Sequence, residues 1–449
     1  MLLRFRVANH LSFRDEQELS LVADNLRAAE DTSITFPLDH VPGLRGERGL
    51  PVAILYGANA SGKSNLVQAI RYMRGVVLDS QRAWDPEGAI ARTPFALDPS
   101  LVETPTRFEM DFVIDGRWYQ YGFELTEKQI TGEWLYAYPH GRRARMFQRD
   151  ATGIRFGKSL TGEKDTISRL TRKNSLFVSA GAQNDHPLLS KVWMNIRAIF
   201  GFEGLDVRPQ AVNEYFHKKG DIDDRVIKFL NFVGTGVVDY KWESVVDGNR
   251  VSSADDLFTM IKEEYRQKFE NLRSLFEASQ KRLMLFHEVA GGGSIPLDLS
   301  RESAGTRRLL MTLSEIFRAL DHGTPFVLDE IDSSLHTLAV ENILELFASK
   351  ETNPYGAQLL TTTHDTNLLR SAHLRRDEIW FTEKDRSGAT QLYPLTDFSP
   401  RASANLEKGY LLGRYGGIPF AGPLPPQLAE SKSAKDEQTQ EQHPAAEEP

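Results

Sequence analysis

The sequence predicts an α/β protein in which both ends of the chain contribute strands to one helix-covered sheet. Near the N-terminus, the apolar run 51–57 ends in a glycine-rich turn, and apolar residues then recur at helical spacing over 65–77. Beyond residue 294 the alternation resumes, with apolar strands at 325–328 and 357–361, each followed by a predicted helix. Because such alternation is typical of parallel sheets covered by helices, we expect these strands to share one sheet.

The middle of the chain follows a two-residue period instead. Residues 106–156 alternate apolar and polar side chains and carry a hairpin signal at Asp115-Gly116, which predicts antiparallel strands. Helical spacing returns from residue 187, and its longest candidate is the charged, amphipathic stretch 254–286. The predicted division is an N-terminal lobe (1–105), an antiparallel β subdomain (106–186), a helical insert (187–290), a C-terminal lobe (291–421) and a disordered tail (422–449).

The composition excludes several classes of chemistry. The chain has 449 residues, no cysteine and a formal net charge of −8. Without cysteine there are no disulfides, no thiolate nucleophile and no cysteine-ligated zinc. No run approaches the roughly 20 apolar residues that span a bilayer. The charged N-terminus is unlike a secretory signal, so we expect a cytoplasmic protein without a membrane partner.

The strongest functional signal is the glycine-rich turn after the first buried strand. It reads Gly57-Ala58-Asn59-Ala60-Ser61-Gly62-Lys63-Ser64, which fits the phosphate-binding pattern G-x-x-x-x-G-K-[ST] between a strand and a helix. Backbone N–H groups of such a P-loop, with the helix N-terminus behind it, cradle phosphate oxygens. We expect Lys63 to reach the β- and γ-phosphates of a nucleotide and Ser64 to bind Mg²⁺. Asn65 is expected to be the last residue of the segment that binds the nucleotide. A chance glycine-rich turn is the alternative, which the strand–helix context disfavours.

Two adjacent carboxylates follow the apolar strand 325–328. Because consecutive side chains of an extended segment point in different directions, Asp329 is predicted to hold Mg²⁺ through water, and Glu330 to orient and deprotonate an attacking water. An acidic helix N-terminus is the alternative interpretation of this pair. His364, after the strand 357–361, is predicted to donate a hydrogen bond to a γ-phosphate, although a lone histidine is more often structural.

Small residues open the helix predicted before the carboxylate strand. Residues 300–306 read Ser-Arg-Glu-Ser-Ala-Gly-Thr. Free N–H donors at such a helix start can bind an anion, which makes Ser303 and Gly305 candidate phosphate contacts. An ordinary helix cap at Ser303 or Thr306 explains the same residues.

In this order, the four motifs resemble those of ABC-type ATPases, in which a signature motif, usually LSGGQ, precedes the carboxylate strand. The chain resembles more closely a bacterial group related to SMC, RecF and OLD ATPases, which includes abortive-infection and RloA-type ATPases of phage-defence islands. The matching segments are 5–13, 302–306, 329–336, 363–365 and 409–419. The signature departs from the usual motif, because it reads ESAGT, and His336 stands where many ABC proteins carry aspartate. Gln120 and Gln148 are candidates for the Q-loop glutamine of that family.

The resemblance implies an ATP hydrolase with an ABC-type head fold, which uses Mg²⁺ at two sites of a head-to-tail homodimer. Ser303 and Gly305 would contact the γ-phosphate held by Lys63 of the partner subunit. It also implies control of an effector, a nuclease-like protein encoded nearby, in antiphage defence.

Two alternatives to this function remain at the level of sequence. A RecF- or SMC-like DNA-maintenance ATPase would bind nucleic acid, and the basic runs at 142–149 and 217–219 are candidates for that contact. A solvated surface is the simpler explanation of both runs. A nucleotide-locked scaffold would bind ATP but turn it over very slowly, in keeping with the divergent signature.

Overall fold

A computed structural model describes residues 1–24, 34–202, 206–244, 281–401 and 403–418 of the chain. The strands, in chain order, are Leu2–Ala8 (β1), Gln17–Ser20 (β2), Phe36–Pro37 (β3), Arg48–Gly49 (β4), Val52–Gly57 (β5), Thr106–Ile114 (β6), Arg117–Leu125 (β7), Ile130–Ala137 (β8), Ala144–Asp150 (β9), Gly153–Phe156 (β10), Phe200–Phe202 (β11), Val237–Ser244 (β12), Lys281–Glu288 (β13), Ser294–Asp298 (β14), Pro325–Leu328 (β15), Gln358–Thr362 (β16), Ile379–Lys384 (β17) and Thr390–Pro394 (β18). The α-helices are Lys63–Asp79 (α1), Lys164–Leu170 (α2), Phe177–Gln183 (α3), Pro187–Ala198 (α4), Pro209–Lys219 (α5), Asp224–Phe232 (α6), Ala304–His322 (α7), Thr337–Ala348 (α8) and Leu406–Leu411 (α9).

A six-stranded sheet presents the predicted nucleotide-binding motifs. Its order is β11-β15-β16-β5-β17-β18, and every neighbouring pair is parallel except β17 with β18. The residues of β5, β15 and β16 are buried throughout, which explains their continuous apolar character. The prediction that strands from both ends of the chain share one sheet is confirmed. The carboxyl ends of β5, β15 and β16 therefore lie side by side at one edge.

A seven-stranded antiparallel sheet, of order β10-β9-β8-β7-β6-β1-β2, forms the second large layer. The predicted hairpin joins β6 and β7, and both Asp115 and Gly116 have the positive φ angles that such a tight turn requires. Strand β1 pairs with β6, and its alternating burial places Phe5 and Val7 in the core. The sheet thus combines the first strand of the chain with strands more than 100 residues later.

The region between the two lobes combines helices with a small sheet. Helices α4 and α6 lie where helical spacing predicted helices. The predicted helix 254–286 is wrong over its last six residues, because residues 281–286 belong to β13 of the antiparallel sheet β12-β13-β14. Leu283 and Leu285 are fully buried with the two-residue period of a strand. In the sequence, residues 283–286 form one short apolar run, which periodicity alone does not distinguish from a buried helix segment. The rest of that predicted helix lies outside the described residues.

Two large hydrophobic cores hold the layers of the described residues together. One lies between the antiparallel sheet and helices α1, α3 and α4, and the other packs α7 and α8 against the parallel sheet. Helix α7 is bounded by an N-cap at Ser303 and by Gly323, whose φ of 60° suits the left-handed residue that ends a helix. In the described parts of the chain, no helix is both long and apolar enough to cross a membrane.

Candidate functional site

The P-loop joins β5 to α1 through a turn that requires glycine at two positions. Gly57 and Gly62 have φ angles of 156° and 113°. A Cβ atom at Gly62 would lie 2.2 Å from the Thr390 hydroxyl oxygen, and one at Gly57 would lie 2.4 Å from that of Thr382. Larger residues would therefore push the loop away from β17 and β18. Ala60, at the exposed tip, adopts a φ of 62°.

Lys63 is folded against the loop that it is predicted to serve. Its side chain is buried, and Nζ donates to the carbonyl oxygens of Gly57 and Ala58 over 2.7 and 3.2 Å. Burial lowers the pKa of Lys63, and the opposing electrostatic effect comes from three carboxylates: Asp329, Glu330 and Asp332. The ammonium group therefore faces the acidic segment that follows β15.

A network of hydroxyl groups fixes the P-loop to strands β17 and β18 and to the segment after β1. Ser12 Oγ accepts a hydrogen bond from Asn65 Nδ2 over 2.6 Å and lies 2.7 Å from Thr390 Oγ1. Thr390 Oγ1 is also 2.7 Å from the Ser61 carbonyl oxygen, and Ser61 Oγ is 2.6 Å from Thr382 Oγ1. The amide of Asn65 is thus engaged with the N-terminal segment. Sequence reasoning missed both threonines, because an isolated threonine in a strand carries no recognisable spacing.

The two predicted carboxylates lie in a turn directly after β15, held by Thr362 on the neighbouring strand β16. The Thr362 hydroxyl donates to Asp329 Oδ1 over 2.5 Å and accepts the Glu330 N–H over 2.7 Å. Glu330 is exposed and has a φ of 52°, which is uncommon for a residue with a side chain. The next helix, α8, begins only at Thr337, so the pair is not part of an acidic helix N-terminus.

His364 lies just beyond β16 at the same edge of the sheet. Its backbone N–H donates to Asp332 Oδ2 over 3.2 Å, and its side chain is exposed. The other carboxylate oxygen, Asp332 Oδ1, is buried and has no hydrogen-bond partner among the described residues. The histidine segment is therefore tied to the acidic turn through the backbone, and the imidazole is left accessible.

The oxygen donors at this edge fit Mg²⁺ that is bound together with a nucleotide. Ser64 offers a hydroxyl group next to Lys63, and Asp329 offers a carboxylate that acts electrostatically on that lysine. The described ranges contain no group of three or more histidine or acidic residues that could hold a metal ion alone. Mg²⁺ at phosphate sites usually binds one or two carboxylates plus substrate phosphates, so a sparse donor set suits it.

The predicted signature residues open α7. Ser303 is the N-cap, and its Oγ accepts the Thr306 N–H over 2.9 Å, as the alternative interpretation expected. Gly305 contacts a different element, because a Cβ atom there would lie 2.5 Å from the Ser334 carbonyl oxygen. Ser303 is exposed, and its side-chain hydrogen bonds, both to Thr306, remain within the start of α7. The N–H groups of a first helical turn have no intrahelical acceptor, so they can donate hydrogen bonds to an anion.

Arg308, which sequence reasoning does not single out, connects α7 to the acidic turn. Its Nη2 donates to the carbonyl oxygens of Asp329 and Glu330 over 3.1 and 2.7 Å. No spacing rule signals this contact, because it joins residues that are more than 20 positions apart and uses backbone acceptors.

The Q-loop candidates lie on the antiparallel sheet. Gln120 on β7 donates to Glu109 Oε1 over 3.1 Å and accepts from the Tyr138 hydroxyl over 3.3 Å. Gln148 lies on β9, where it pairs in register with Trp134. The amide of Gln120 is therefore part of the hydrogen-bonded surface of the sheet.

Members of both basic runs are engaged within the fold. Arg149 donates to the Ser175 carbonyl oxygen over 2.6 Å. Lys219 forms an ion pair of 2.6 Å with the buried Glu315. Arg142 stays exposed. Each run therefore offers a nucleic acid fewer charges than its sequence suggests.

Comparison with known proteins identifies a family. The family described as "AAA domain, putative AbiEii toxin, Type IV TA system" matches residues 52–370. Among solved structures, the Smc head domain of Pyrococcus furiosus, with an extended coiled coil and bound to the C-terminal domain of ScpA, is 12% identical, with a TM-score of 0.40 over 92% of this chain and 98% of that one. The Smc head domain of Pyrococcus yayanosii, with a coiled coil and joint, is 12% identical, with a TM-score of 0.35 over 88% of this chain and 96% of that one. No curated protein matches the chain significantly.

Proposed function

We propose that this chain, a member of the AAA-domain family that matches residues 52–370, binds ATP with Mg²⁺ and hydrolyses it in a head-to-tail homodimer. Lys63 contacts the β- and γ-phosphates, and Glu330 orients the attacking water and accepts its proton. Ser64, through its hydroxyl group, and Asp329, through water, would hold Mg²⁺, which would neutralise charge on the phosphates. His364 donates a hydrogen bond to the γ-phosphate.

The observation that carries this proposal is the meeting of Lys63 with the acidic turn at one edge of the parallel sheet. The lysine is buried and lies in the electrostatic field of the three carboxylates of that turn. Ligands of open α/β sheets bind at the carboxyl ends of the strands, and β5, β15 and β16 end together here. A triphosphate on the P-loop would place its γ-phosphate between the Lys63 ammonium group and the Glu330 carboxylate.

The position of the predicted signature residues supports the homodimer. Among the described residues, Ser303 bonds within the start of its own helix and Gly305 lies against Ser334, and neither contact involves the P-loop of the same chain. In a head-to-tail pair, the first amides of α7 would bind the γ-phosphate on the partner subunit's Lys63. Such donors act mainly in the transition state, and losing one typically lowers the rate about 10²–10³-fold.

The substitution Glu330→Gln tests the hydrolytic role. We expect turnover to fall at least about 10²-fold, because the amide cannot accept the proton of the attacking water, while ATP binding stays within about two-fold. Phosphate release and equilibrium binding of a fluorescent ATP analogue measure the two effects. Glu345→Gln, an exposed carboxylate on α8, is the matched control. Turnover at the parental rate in the Glu330 variant would exclude this residue as the base.

We propose antiphage defence as the biological role, with a nuclease-like effector as the partner and the cytoplasm as the place of action. The description of the family, which refers to a toxin of a toxin–antitoxin system, supports this class of role. A neighbouring gene for a small nuclease would support the proposal, whereas a replication or repair operon would favour DNA maintenance.

A further inference from the structure

Helix α7 contacts the acidic turn of its own chain, residues 329–336, at two places. In its first turn, Gly305 packs so closely against Ser334 that an added Cβ atom would lie 2.5 Å from the carbonyl oxygen. About one turn later, Arg308 donates to the carbonyl oxygens of Asp329 and Glu330 over 3.1 and 2.7 Å. The start of α7 is therefore attached to both ends of the turn that carries the base.

The Arg308 guanidinium is well placed to fix the backbone of Glu330. Glu330 has a φ of 52°, a conformation that persists only where the surroundings hold it. Arg308 Nε is buried and has no hydrogen-bond partner among the described residues, so the side chain is oriented by its Nη2 bonds to the two carbonyl groups. Its charge faces the carboxylates of the turn, of which Glu330 acts most strongly on it.

The geometry also connects Arg308 to the other nucleotide of a dimer. Arg308 is five residues after Ser303, which corresponds to about 7.5 Å along a helix axis. A helical segment of this length moves as one piece because its backbone hydrogen bonds are continuous. A displacement of the α7 tip by a phosphate would therefore reach Glu330 through Arg308 and through the Gly305–Ser334 contact.

We propose that Arg308 is a positioning residue that couples the two ATP sites. The nucleotide of the partner subunit binds the tip of α7, and Arg308 then sets the Glu330 turn that acts on the nucleotide of its own chain. This inference rests on the proposed head-to-tail ATPase dimer. Coupling between sites typically changes affinity by about 5- to 150-fold, and we expect a change in turnover of that size.

The dependence of turnover on ATP concentration tests the coupling. We expect a sigmoidal curve for the parental protein, with a Hill coefficient above 1, and a hyperbolic curve for Arg308→Met with a rate about 5- to 150-fold lower at saturation. Arg308→Lys retains a cation with N–H donors and should recover part of the sigmoidal shape. Arg45→Ala removes an exposed arginine from the loop before β4 and should leave the curve unchanged. A purely structural role would lower the rate without changing the Hill coefficient.

Mixed dimers give a second readout, whose first arm uses no Arg308 variant. Parental protein is mixed with increasing amounts of Lys63→Ala protein, which cannot hold a nucleotide in its own P-loop. A dimer with one filled site lacks the coupling and should turn over about 5- to 150-fold more slowly. Activity should therefore fall more steeply than the parental fraction and approach its square when the coupling is strong. In the Arg308→Met background, the remaining activity should fall in proportion to that fraction.

The outcomes separate this inference from the function on which it rests. A proportional decline for the parental protein, or an unchanged Hill coefficient in Arg308→Met, would overturn the coupling but leave the ATPase intact. Absence of turnover in the parental protein would overturn both, and would be seen before any Arg308 variant is compared.

Discussion

At the residue scale, His10 shows how burial alone sets a charge state. The side chain is 3% exposed, and its ring packs 5.0 Å from that of Phe108 and 5.1 Å from that of Tyr72. Its Nδ1 atom is buried and lacks a hydrogen-bond partner in the described ranges. Burial without a compensating acceptor lowers the pKa of His10 from 6.5 to about 4. The histidine is therefore neutral in the folded protein at neutral pH.

The lowered pKa predicts a loss of stability in mild acid. Between pH 6.5 and about 4 the unfolded chain binds a proton that the folded chain does not, so the free energy of unfolding falls as the pH falls. Between pH 7 and 4.5 this residue should lower the free energy of unfolding by about 2–3 kcal/mol. Urea unfolding at both pH values should show a smaller loss for His10→Gln than for the parental protein. His140→Gln, an exposed histidine, should retain the full loss, and equal losses in all three proteins would contradict the assignment.

Residues with a strict local spacing could be located from the sequence, and residues with only tertiary partners could not. Lys63 follows a strand by a fixed number of positions, and the Asp329–Glu330 pair ends an apolar run, so both could be placed at the sheet edge. Thr362 and Arg308 hold that pair through contacts from a neighbouring strand and helix. A threonine in a strand or an arginine in a helix is too common to indicate such a contact.

At the element scale, periodicity located most strands and helices but could not decide one short segment. Residues 281–288 form a strand because Leu283 and Leu285 face the core on alternate positions, beside the partner strands β12 and β14. Leu283 and Phe286 are also three positions apart, which suits a helix, and the charged residues before them favoured that interpretation. Only pairing with strands from other parts of the chain decides between the two.

Helix α5 is attached to α7 through the buried carboxylate of Glu315. Glu315 on α7 is 1% exposed and accepts hydrogen bonds from the Tyr215 hydroxyl and, over 2.6 Å, from Arg318 Nε; Lys219 Nζ also lies 2.6 Å away. Burial would raise the pKa of Glu315, but these donors together hold it below its usual value. The carboxylate is thus the common acceptor that joins α5 to α7.

Replacing this acceptor by an amide should loosen α5. We expect Glu315→Gln to lower the free energy of unfolding by about 1–3 kcal/mol, because an NH₂ group would face buried donors. Hydrogen exchange should accelerate in α5 and at the adjoining turns of α7 before it does so in the antiparallel sheet. Glu345→Gln, on the exposed face of α8, should change stability by less than about 0.5 kcal/mol. Uniform acceleration across all elements would contradict a local attachment.

At the scale of the whole molecule, the order of motifs along the chain predicted the shared sheet, but not where the N-terminal strand would pair. Strand β1 joins β6 across about a hundred residues, and Ser12, just beyond β1, contacts Thr390 near the other end of the described chain. These contacts bring both ends of the sequence around the P-loop. Long-range pairing of this kind depends on the complete fold, so no local pattern records it.

The proposed dimer predicts that two inactive variants restore activity to each other. Lys63→Ala removes the phosphate contact of the P-loop in both sites of its homodimer. Ser303→Asp keeps an N-cap on α7 but places a negative charge where the γ-phosphate would bind, so its homodimer should be inactive too. A mixed dimer contains one site with an intact lysine and an intact signature serine, contributed by different subunits.

Turnover measured on an equimolar mixture checks this arrangement. Random pairing gives at most about a quarter of the parental activity, because half of the dimers carry one intact site each. Coupling through Arg308 would make the restored rate lower still, but above that of either variant alone. Ser303→Asp protein that is fully active by itself would show that Ser303 does not contact the γ-phosphate held by the partner subunit. A mixture as inactive as its components would exclude sites shared between two copies.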